Sequence, residues 1–233
     1  GYYDHNMLVM SERISDHLPK TDKHTPKQRM WYIRAKQVVI SSGSIERPIV
    51  FGNNDTPGVV LASAAKEYMK VYGVLVGKKP VIFTNNDSAY ETAIEFKKNN
   101  INPVVLDSRK NPQSEIIKEA LSLGIEVKFS RVVVAAKGYK KVKSCDIAMI
   151  SDNKENLIDI TNIKCDCICV SGFWTPTIHL ASQSGSKTKF VEDIDAFIPD
   201  KSKQKEITLG SANGVFTLDE TLKTSFQKGY ELS

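Results

Sequence analysis

The sequence predicts an α/β protein in which a β-α-β-α-β unit is inserted into a second fold of related kind. Between residues 79 and 129, apolar strand patterns alternate with amphipathic helix patterns, an order that favours a parallel sheet with crossover helices. On either side, strand patterns end in short turns rich in Ser and Gly. We therefore assign residues 1–58 and 161–233 to the first fold and residues 59–160 to the inserted domain.

The first segment carries extended patterns. Residues 2–11 and 29–34 predict two strands joined by a polar loop that contains Pro19 and Pro26, which together form an antiparallel ribbon. Residues 35–40 are rich in β-forming side chains and stop at Ser41-Ser42-Gly43-Ser44. A buried strand that ends at a glycine turn is the prediction there.

The inserted domain follows a turn at residues 54–58 and a helix predicted over residues 60–72. Its unit is predicted as strand 79–84, helix 87–99, strand 103–107, helix 114–123 and strand 125–129. Residues 131–136 and 141–151 then predict a hairpin that pairs with a strand at 156–160.

The last segment begins with a buried strand at residues 165–170, which ends at Ser171-Gly172. Thr175 as N-cap and Pro176 in the first turn predict a helix start, and a long polar loop follows. Residues 207–209 predict a short strand that runs into a loop at 210–214, and residues 218–227 predict a terminal helix.

Composition argues against several classes of protein. Hydrophobic residues make up 41% and charged residues 25%, ordinary values for a globular protein, and we expect no membrane association because no apolar run is long enough to span a bilayer. We also expect no nucleic acid partner. The net charge of +5 comes from dispersed lysines, and the clusters at 137–143 and 201–205 lack the run of interleaved aromatic side chains of a base-stacking surface. Since the chain opens on Gly1 without Met, we expect an internal fragment of a longer protein.

The four cysteines predict neither a metal site nor a redox site. Cys165, Cys167 and Cys169 alternate, which predicts that all three lie on one face of a strand. Same-face neighbours are roughly 7 Å apart, a spacing poorly suited to one zinc ion with sulfur ligands at about 2.3 Å. No CxxC pair is present, so we interpret them as buried thiols of a protein in a reducing cytoplasm.

Three strand ends carry candidate ligand-binding loops, at residues 41–44, 171–172 and 210–214. Ligands of open α/β sheets bind outside the carboxyl ends of the strands, and glycine lets backbone N–H groups approach a pyrophosphate. Each loop by itself is equally consistent with an ordinary tight turn.

The four histidines do not occur in the sequence order of a Ser-His-Asp catalytic triad or in a metal-binding motif. We therefore predict no catalytic residue and no metal ligand.

The inserted domain lacks the glycine loop expected after its first strand. The residues there are Thr84-Asn85-Asn86-Asp87-Ser88-Ala89, and a carboxylate at Asp87 repels a pyrophosphate. Asp87 or Asn86 instead suits a helix N-cap, while Asp107 stands where a ribose-binding acid would be. Our hypothesis is that this domain binds no dinucleotide and has a structural role.

Five stretches resemble the alpha subunit of heterotetrameric sarcosine oxidase. They are Gly1-Tyr2-Tyr3-Asp4-His5-Asn6, Ser42-Gly43-Ser44-Ile45-Glu46-Arg47-Pro48, Asn54-Asp55-Thr56-Pro57-Gly58-Val59, Phe83-Thr84-Asn85-Asn86-Asp87-Ser88-Ala89-Tyr90 and Val170-Ser171-Gly172-Phe173-Trp174-Thr175-Pro176. The resemblance runs nearly end to end. The second stretch is also typical of related amine dehydrogenase and cyanide-forming subunits, so it is the less specific of the five.

This resemblance implies an FAD/NAD(P)-binding two-dinucleotide fold whose first domain is incomplete. It implies an oxidoreductase complex of alpha, beta, gamma and delta subunits that oxidises sarcosine, a small amine, with oxygen to glycine and peroxide. The one-carbon unit passes to tetrahydrofolate or leaves as formaldehyde. The alpha subunit would hold NAD, FMN would lie between alpha and beta, and FAD would lie in beta.

Carried over by motif, the NAD-contacting positions are Ser42, Gly43, Gly210, Ser211, Asn213, Gly214, Phe216 and Leu218. The strand with the glycine-rich pyrophosphate loop and the folate-binding domain are both missing from this sequence. The fragment alone is therefore expected to hold half an NAD site and to have no activity. Two alternatives remain: a related opine or amine dehydrogenase subunit, and a nucleotide-binding scaffold without redox chemistry.

Overall fold

The protein is described by a computed structural model that covers residues 1–151, 153 and 156–232. The chain forms two compact units, an outer unit of residues 1–45 with 175–233 and an inserted unit of residues 46–174. The inserted domain expected from the sequence spans residues 59–160, so the compact unit extends further in both directions.

The outer unit begins with a three-stranded antiparallel sheet of β1 (Tyr2–Tyr3), β2 (Met7–Arg13) and β3 (Gln28–Arg34). His5 (φ 61) and Asn6 (φ 52) are left-handed and turn the chain between β1 and β2. The single strand predicted over residues 2–11 is therefore wrong, because Tyr2 pairs with Leu8 across that turn. Strands β4 (Val38–Ile40) and β5 (Ser44–Glu46) follow.

The inserted unit contains a five-stranded parallel sheet. Its elements are β6 (Val59–Leu61), α1 (Ala62–Tyr72), β7 (Pro80–Thr84), α2 (Ser88–Lys98), β8 (Val104–Asp107), α3 (Glu115–Ser122), β9 (Glu126–Phe129), β10 (Arg131–Lys137), β11 (Ser144–Ile150), β12 (Leu157–Lys164) and β13 (Cys167–Ser171). The sheet order is β6-β13-β7-β8-β9, with every neighbouring pair parallel. The predicted β-α-β-α-β order is confirmed, and β13 joins this sheet between β6 and β7.

Each face of the parallel sheet has its own core, because alternate side chains of a strand point to opposite faces. Ile82, Val105 and Cys167 pack on one face with residues of α1, α2 and α3. Phe83 and Leu106 pack on the other face with residues of β10 and β11. Strands β10, β11 and β12 form an antiparallel sheet in that order, so the inserted unit has three layers.

The cysteines divide between these two cores. Cys167 and Cys169 lie in the core on the helix side, whereas Cys165 and Cys145 lie in the other core. The prediction that Cys165, Cys167 and Cys169 share one face was wrong, because β13 begins at Cys167 and Cys165 belongs to the preceding turn. All four thiols are free and buried, and within the described part of the chain no three His, Cys, Asp or Glu side chains are placed to hold a metal ion.

The second segment of the outer unit begins within β14 (Trp174–Pro176), which pairs with β5. It contains α4 (His179–Gln183), the antiparallel pair β15 (Thr188–Val191) and β16 (Ala196–Pro199), then β17 (Glu206–Thr208) and α5 (Leu218–Leu232). The predicted helix start at Thr175 is wrong because that residue lies in β14. The predicted polar loop instead holds a hairpin, in which the Phe190 and Phe197 rings pack 5.2 Å apart.

The core of the outer unit is small. Tyr2, Val38, Ile40 and Ala181 are its buried members, and α5 buries no residue. Over the residues that the structure describes, none of the helices combines the length and apolar character needed to cross a membrane.

Candidate functional site

Two glycine-bearing loops lie side by side in the outer unit. Strands β4 and β17 are parallel neighbours, with Ile40 in register with Thr208. The Leu209 amide donates to the Ile40 carbonyl oxygen at 2.9 Å, so the pairing continues to the carboxyl ends of both strands. The loops at residues 41–43 and 210–214 therefore begin at one edge of the strand pair, the edge at which α/β sheets bind ligands.

The first loop is held in place while its glycine faces open space. The Ser42 Oγ donates to the Thr177 carbonyl oxygen at 2.7 Å, and the Thr177 amide donates to the Gly43 carbonyl oxygen at 2.9 Å. Gly43 has φ +75, and a Cβ built on it would meet no atom within 4 Å. This arrangement fits a phosphate group, because a backbone without a side chain lets it approach closely.

The second loop is a 3₁₀ turn bounded by two left-handed glycines. The turn spans Gly210–Asn213, and φ is +64 at Gly210 and +79 at Gly214. A Cβ on Gly214 would lie 3.1 Å from Ile194 Cδ1 and 3.2 Å from Ile198 Cγ2. Both the backbone angle and the packing therefore favour glycine at residue 214.

The remaining candidate positions lie along the same segment. Ser211 and Asn213 are half-buried within the 3₁₀ turn, and Phe216 is half-buried just after it. Leu218 begins α5 and its side chain is 72% exposed. All eight candidate residues thus fall in the outer unit, whereas Ser171-Gly172 stands at the end of β13 and lies in the inserted unit.

The corresponding strand ends of the inserted unit carry polar side chains that bond to one another. Asn86 Oδ1 accepts hydrogen bonds from the Ser88 amide at 3.0 Å and the Ser88 Oγ at 2.6 Å. Asn86 Nδ2 donates to the Ser171 carbonyl oxygen at 3.1 Å. Asp87 occupies the N-cap position of α2 without a side-chain cap bond, so Asn86 satisfies the start of the helix.

Asp87 instead belongs to an ion triad with Arg109 and Asp107. Arg109 Nη2 lies 2.8 Å from Asp87 Oδ1 and 2.8 Å from Asp107 Oδ2, and Arg109 Nε donates to Asp107 Oδ1 at 3.0 Å. Asp107 is fully buried and also accepts from the Tyr90 hydroxyl at 2.8 Å. The carboxylate that stands where a ribose-binding acid would be is thus already engaged by groups of the protein.

Electrostatics fix the protonation of this cluster. Burial, and then the hydrogen bond to Asp107, raise the pKa of Tyr90 far above its usual value. Burial lowers the pKa of Arg109, but the contacts with Asp107 and Asp87 outweigh it and the net shift is upward. Arg109 therefore stays charged and Tyr90 stays neutral.

The sequence analysis did not identify Tyr90 and Arg109 as partners of Asp107. The available signal was an Arg two residues after an Asp that ends a strand.

Comparison with curated proteins identifies close sequence relatives, although no family model matches the chain. A protein of Corynebacterium sp. (strain P-1) is 33% identical over 232 residues, which are 98% of this chain and 24% of the relative. A protein of Rhizobium meliloti (strain 1021) is 31% identical over 220 residues, 91% of this chain and 20% of the relative. Both are named sarcosine oxidase subunit alpha. The resemblance predicted from the sequence is confirmed, for a chain that spans about a quarter of the length of the curated relatives it matches.

Solved structures agree on the fold. The T. acidophilum thioredoxin reductase matches 83% of this chain and 64% of its own, with a TM-score of 0.65 and 15% identity. The L-proline dehydrogenase of P. horikoshii matches 79% of this chain and 31% of its own, with a TM-score of 0.57 and 25% identity. The predicted α/β fold of FAD/NAD(P)-binding oxidoreductases is therefore confirmed.

Proposed function

We propose that this chain, a segment related to sarcosine oxidase alpha subunits, is the nucleotide-holding part of an amine-oxidising flavoprotein complex. The observation that carries the proposal is the side-by-side placement of the Gly43 and Gly210–Asn213 loops after two parallel strands. The relatives, at 31–33% identity over most of the chain, support the assignment to an oxidoreductase.

NAD is the proposed cofactor of these loops. Ser42 and Gly43 would hold it from the β4 side, and Gly210, Ser211, Asn213 and Gly214 from the β17 side. Phe216 and Leu218 follow on the same segment and would border it. NAD, when bound, supplies a hydride acceptor. The contribution of these residues is to bind and orient the cofactor, and no residue of this chain is assigned to the chemical step.

The proposed complex has beta, gamma and delta subunits as partners. FMN would lie at the interface with beta, FAD would lie in beta, and a tetrahydrofolate-binding domain would belong to the longer alpha chain. The proposed reaction converts sarcosine and oxygen to glycine, peroxide and a one-carbon unit. A cytoplasmic location is part of the proposal, because four free buried thiols suit a reducing compartment.

The inserted unit is proposed to bind no dinucleotide. Asp107 and Asp87 both pair with Arg109, and Asn86 and Ser88 bond to each other at the start of α2. A pyrophosphate at that helix end would have to displace these bonds and would meet the Asp87 carboxylate, so a structural role is favoured.

One alternative function has an observation in its favour. The likeness to an L-proline dehydrogenase supports a related amine or opine dehydrogenase subunit, in which a partner subunit would choose the substrate. A scaffold without redox chemistry is the remaining alternative, and the closed strand ends of the inserted unit suit it for that unit.

The test uses the full-length alpha chain purified with its co-expressed subunits. Sarcosine should bleach the flavin absorbance in the absence of oxygen, and oxygen added afterwards should restore the absorbance and be reduced to peroxide. Flavin reduction by proline or an opine but not by sarcosine would support the dehydrogenase, and a complex without flavin would support the scaffold. The NAD released on denaturation should be lost in Gly43→Ala and kept in Gly73→Ala, a second left-handed glycine with nothing within 4 Å. Equal NAD content in the two variants would contradict the proposed site.

A further inference from the structure

We infer that the outer unit has a second ligand site, a cleft that binds small phosphate-bearing anions. The cleft has a volume of about 440 Å³ and is lined by Asp4, His5, Asn6, Lys203, Gln204 and Lys205. Residues 203–205 lead directly into β17, which begins at Glu206. The cleft thus lies at the amino end of the strand whose carboxyl end leads into the Gly210–Asn213 loop, and it is independent of the proposed NAD site.

The charges of the lining favour an anion. Lys203 and Lys205 are the two cationic residues of the lining, and Asp4 is its single acidic residue. A concave surface lined mainly by one sign of charge concentrates ions of the opposite sign. Lysine binds phosphate as a compact point charge, and a volume of about 440 Å³ lies within the usual range for small-molecule sites.

The cleft has two walls, formed by residues 4–6 and by residues 203–205. The first wall has an uncommon backbone conformation. His5 and Asn6 are both left-handed, with φ 61 and 52. The Asn6 side chain is buried and donates from Nδ2 to the carbonyl oxygens of Lys36 at 3.3 Å and Lys205 at 3.2 Å. Its Oδ1 accepts from the Tyr2 hydroxyl at 3.0 Å. Left-handed residues that the surroundings fix in this way are concentrated at functional sites.

The Gln204 side chain, in addition to that of Asn6, joins the two walls. The Asn6 amide donates to Gln204 Oε1 at 2.7 Å, and Gln204 Nε2 donates to the carbonyl oxygens of Tyr3 at 3.1 Å and Ser184 at 2.9 Å. The bonds of Gln204 to Asn6 and Tyr3 set the distance between the walls before any ligand binds, and the bond to Ser184 holds the Gln204 side chain in place. Preorganisation of this kind reduces the entropy lost on binding.

A glycine makes room for the Lys203 side chain. Gly185 has φ +86, and a Cβ there would lie 2.7 Å from Lys203 Cδ. The Lys203 ammonium lies 3.5 Å from Asp4 Oδ1, with both side chains more than half exposed. Such an exposed pair contributes little stability, so a phosphate with two or more charges competes well with Asp4 for Lys203.

The experiment is a calorimetric titration of the full-length protein with inorganic pyrophosphate at about 0.15 M ionic strength, where charges outside the cleft are screened, in the presence of saturating NAD. We expect saturable binding that Lys203→Gln weakens by about tenfold, the loss of one charge-assisted hydrogen bond. Lys201→Gln removes the same charge outside the cleft and should leave the affinity within about twofold. Gly185→Ala keeps every charge but displaces the Lys203 side chain, and it should weaken binding as well.

Several results would overturn the inference. One is the absence of saturable pyrophosphate binding, and another is an equal loss in Lys203→Gln and Lys201→Gln, which indicates diffuse attraction to surface charge. A third is loss of pyrophosphate binding in Gly43→Ala, which places the anion at the other end of the strand pair. Circular dichroism of each variant confirms that it is folded before its affinity is compared.

Discussion

In both units, loops follow the carboxyl ends of parallel strands. The loops of the outer unit carry glycines, whereas those of the inserted unit carry polar side chains that bond to one another. In the outer unit, left-handed Gly43, Gly210 and Gly214 follow β4 and β17. In the inserted unit, Asn86 follows β7, and Asp107 ends β8 in a triad with Arg109. Because the parallel topology is shared, it cannot by itself decide which edge binds a ligand. Glycine leaves backbone N–H groups accessible to a ligand. Polar side chains that hydrogen-bond or form ion pairs with one another leave no free groups for a ligand at that edge.

The units also differ in how their helices are used. Helix α2 buries six residues, including Tyr90 and Phe96. Helix α5 buries none, and its half-buried positions include Thr221, Thr224 and Ser225, while Leu222 and Phe226 are 60% and 80% exposed. The inserted unit therefore draws its stability from packed helices, and the outer unit relies on turns and hydrogen bonds around a small core.

The largest effect is expected at the closed edge of the inserted unit. Asp107→Ala leaves the buried Tyr90 hydroxyl without its acceptor and leaves Arg109 with only the Asp87 carboxylate, and it should lower the free energy of unfolding by about 3–5 kcal/mol. Denaturant unfolding measures this change. Asp146→Ala, which removes an ion pair to the exposed Lys137, is the control and should cost far less. Equal losses in the two variants would contradict the triad as a stabilising element.

The next effect is expected at the open edge of the outer unit. Gly214→Ala combines a left-handed backbone with contacts of 3.1 and 3.2 Å to Ile194 and Ile198, and it should cost about 2–4 kcal/mol. Gly73→Ala, with φ +63 and open space around it, should cost only the backbone strain of about 1–2 kcal/mol. Thermal unfolding of both variants tests the difference. A Gly214→Ala variant no less stable than Gly73→Ala would mean that the isoleucine contacts relax freely.

A third test titrates one buried phenol in each unit. Burial first, and then a neighbouring carboxylate, raise the pKa of Tyr90 and of Tyr2 above the usual 10.0. Since the folded pKa is the higher one, this contribution to stability is fully present below pH 10 and is lost as the pH rises toward the folded value. At about pH 12, well above the usual phenol pKa, tyrosinate absorbance should therefore count fewer than eight ionised phenols in the folded protein and all eight in denaturant. Tyr90→Phe should lower only the denatured count. An unchanged difference between the two counts in Tyr90→Phe would show that Tyr90 ionises normally.

The smallest effect on stability is expected at α5. Phe226→Gln should change the free energy of unfolding by no more than about 0.5 kcal/mol, because the side chain is 80% exposed and surface substitutions have small effects. It should nevertheless reduce self-association in light scattering, since exposed apolar patches promote aggregation. Lys223→Gln, on the same helix, should leave scattering unreduced. Equal scattering of the Phe226→Gln variant and the parent would contradict this view of α5.

Sequence reasoning was most successful where the signal is local. The periodicity of residues 79–129 predicted β7, α2, β8, α3 and β9, and glycines marked the loops that follow β4 and β17. It failed where a distant partner decides the structure. Thr175 and Pro176 have the composition of a helix start, yet they lie in β14 because that strand pairs with β5. The hairpin of β15 and β16 was also missed, although its two strands are neighbours in the sequence.

The sequence by itself determined the α/β class, the resemblance to sarcosine oxidase alpha subunits and the residues available at each strand end. The tertiary structure alone decided that β13 joins the inserted sheet, that Cys165 faces a different core from Cys167, and that Tyr90 and Arg109 both reach Asp107. The physical reason is the range of the interactions. Backbone preference and side-chain periodicity act within a few residues, whereas strand order and buried ion pairs depend on which distant segments pack together.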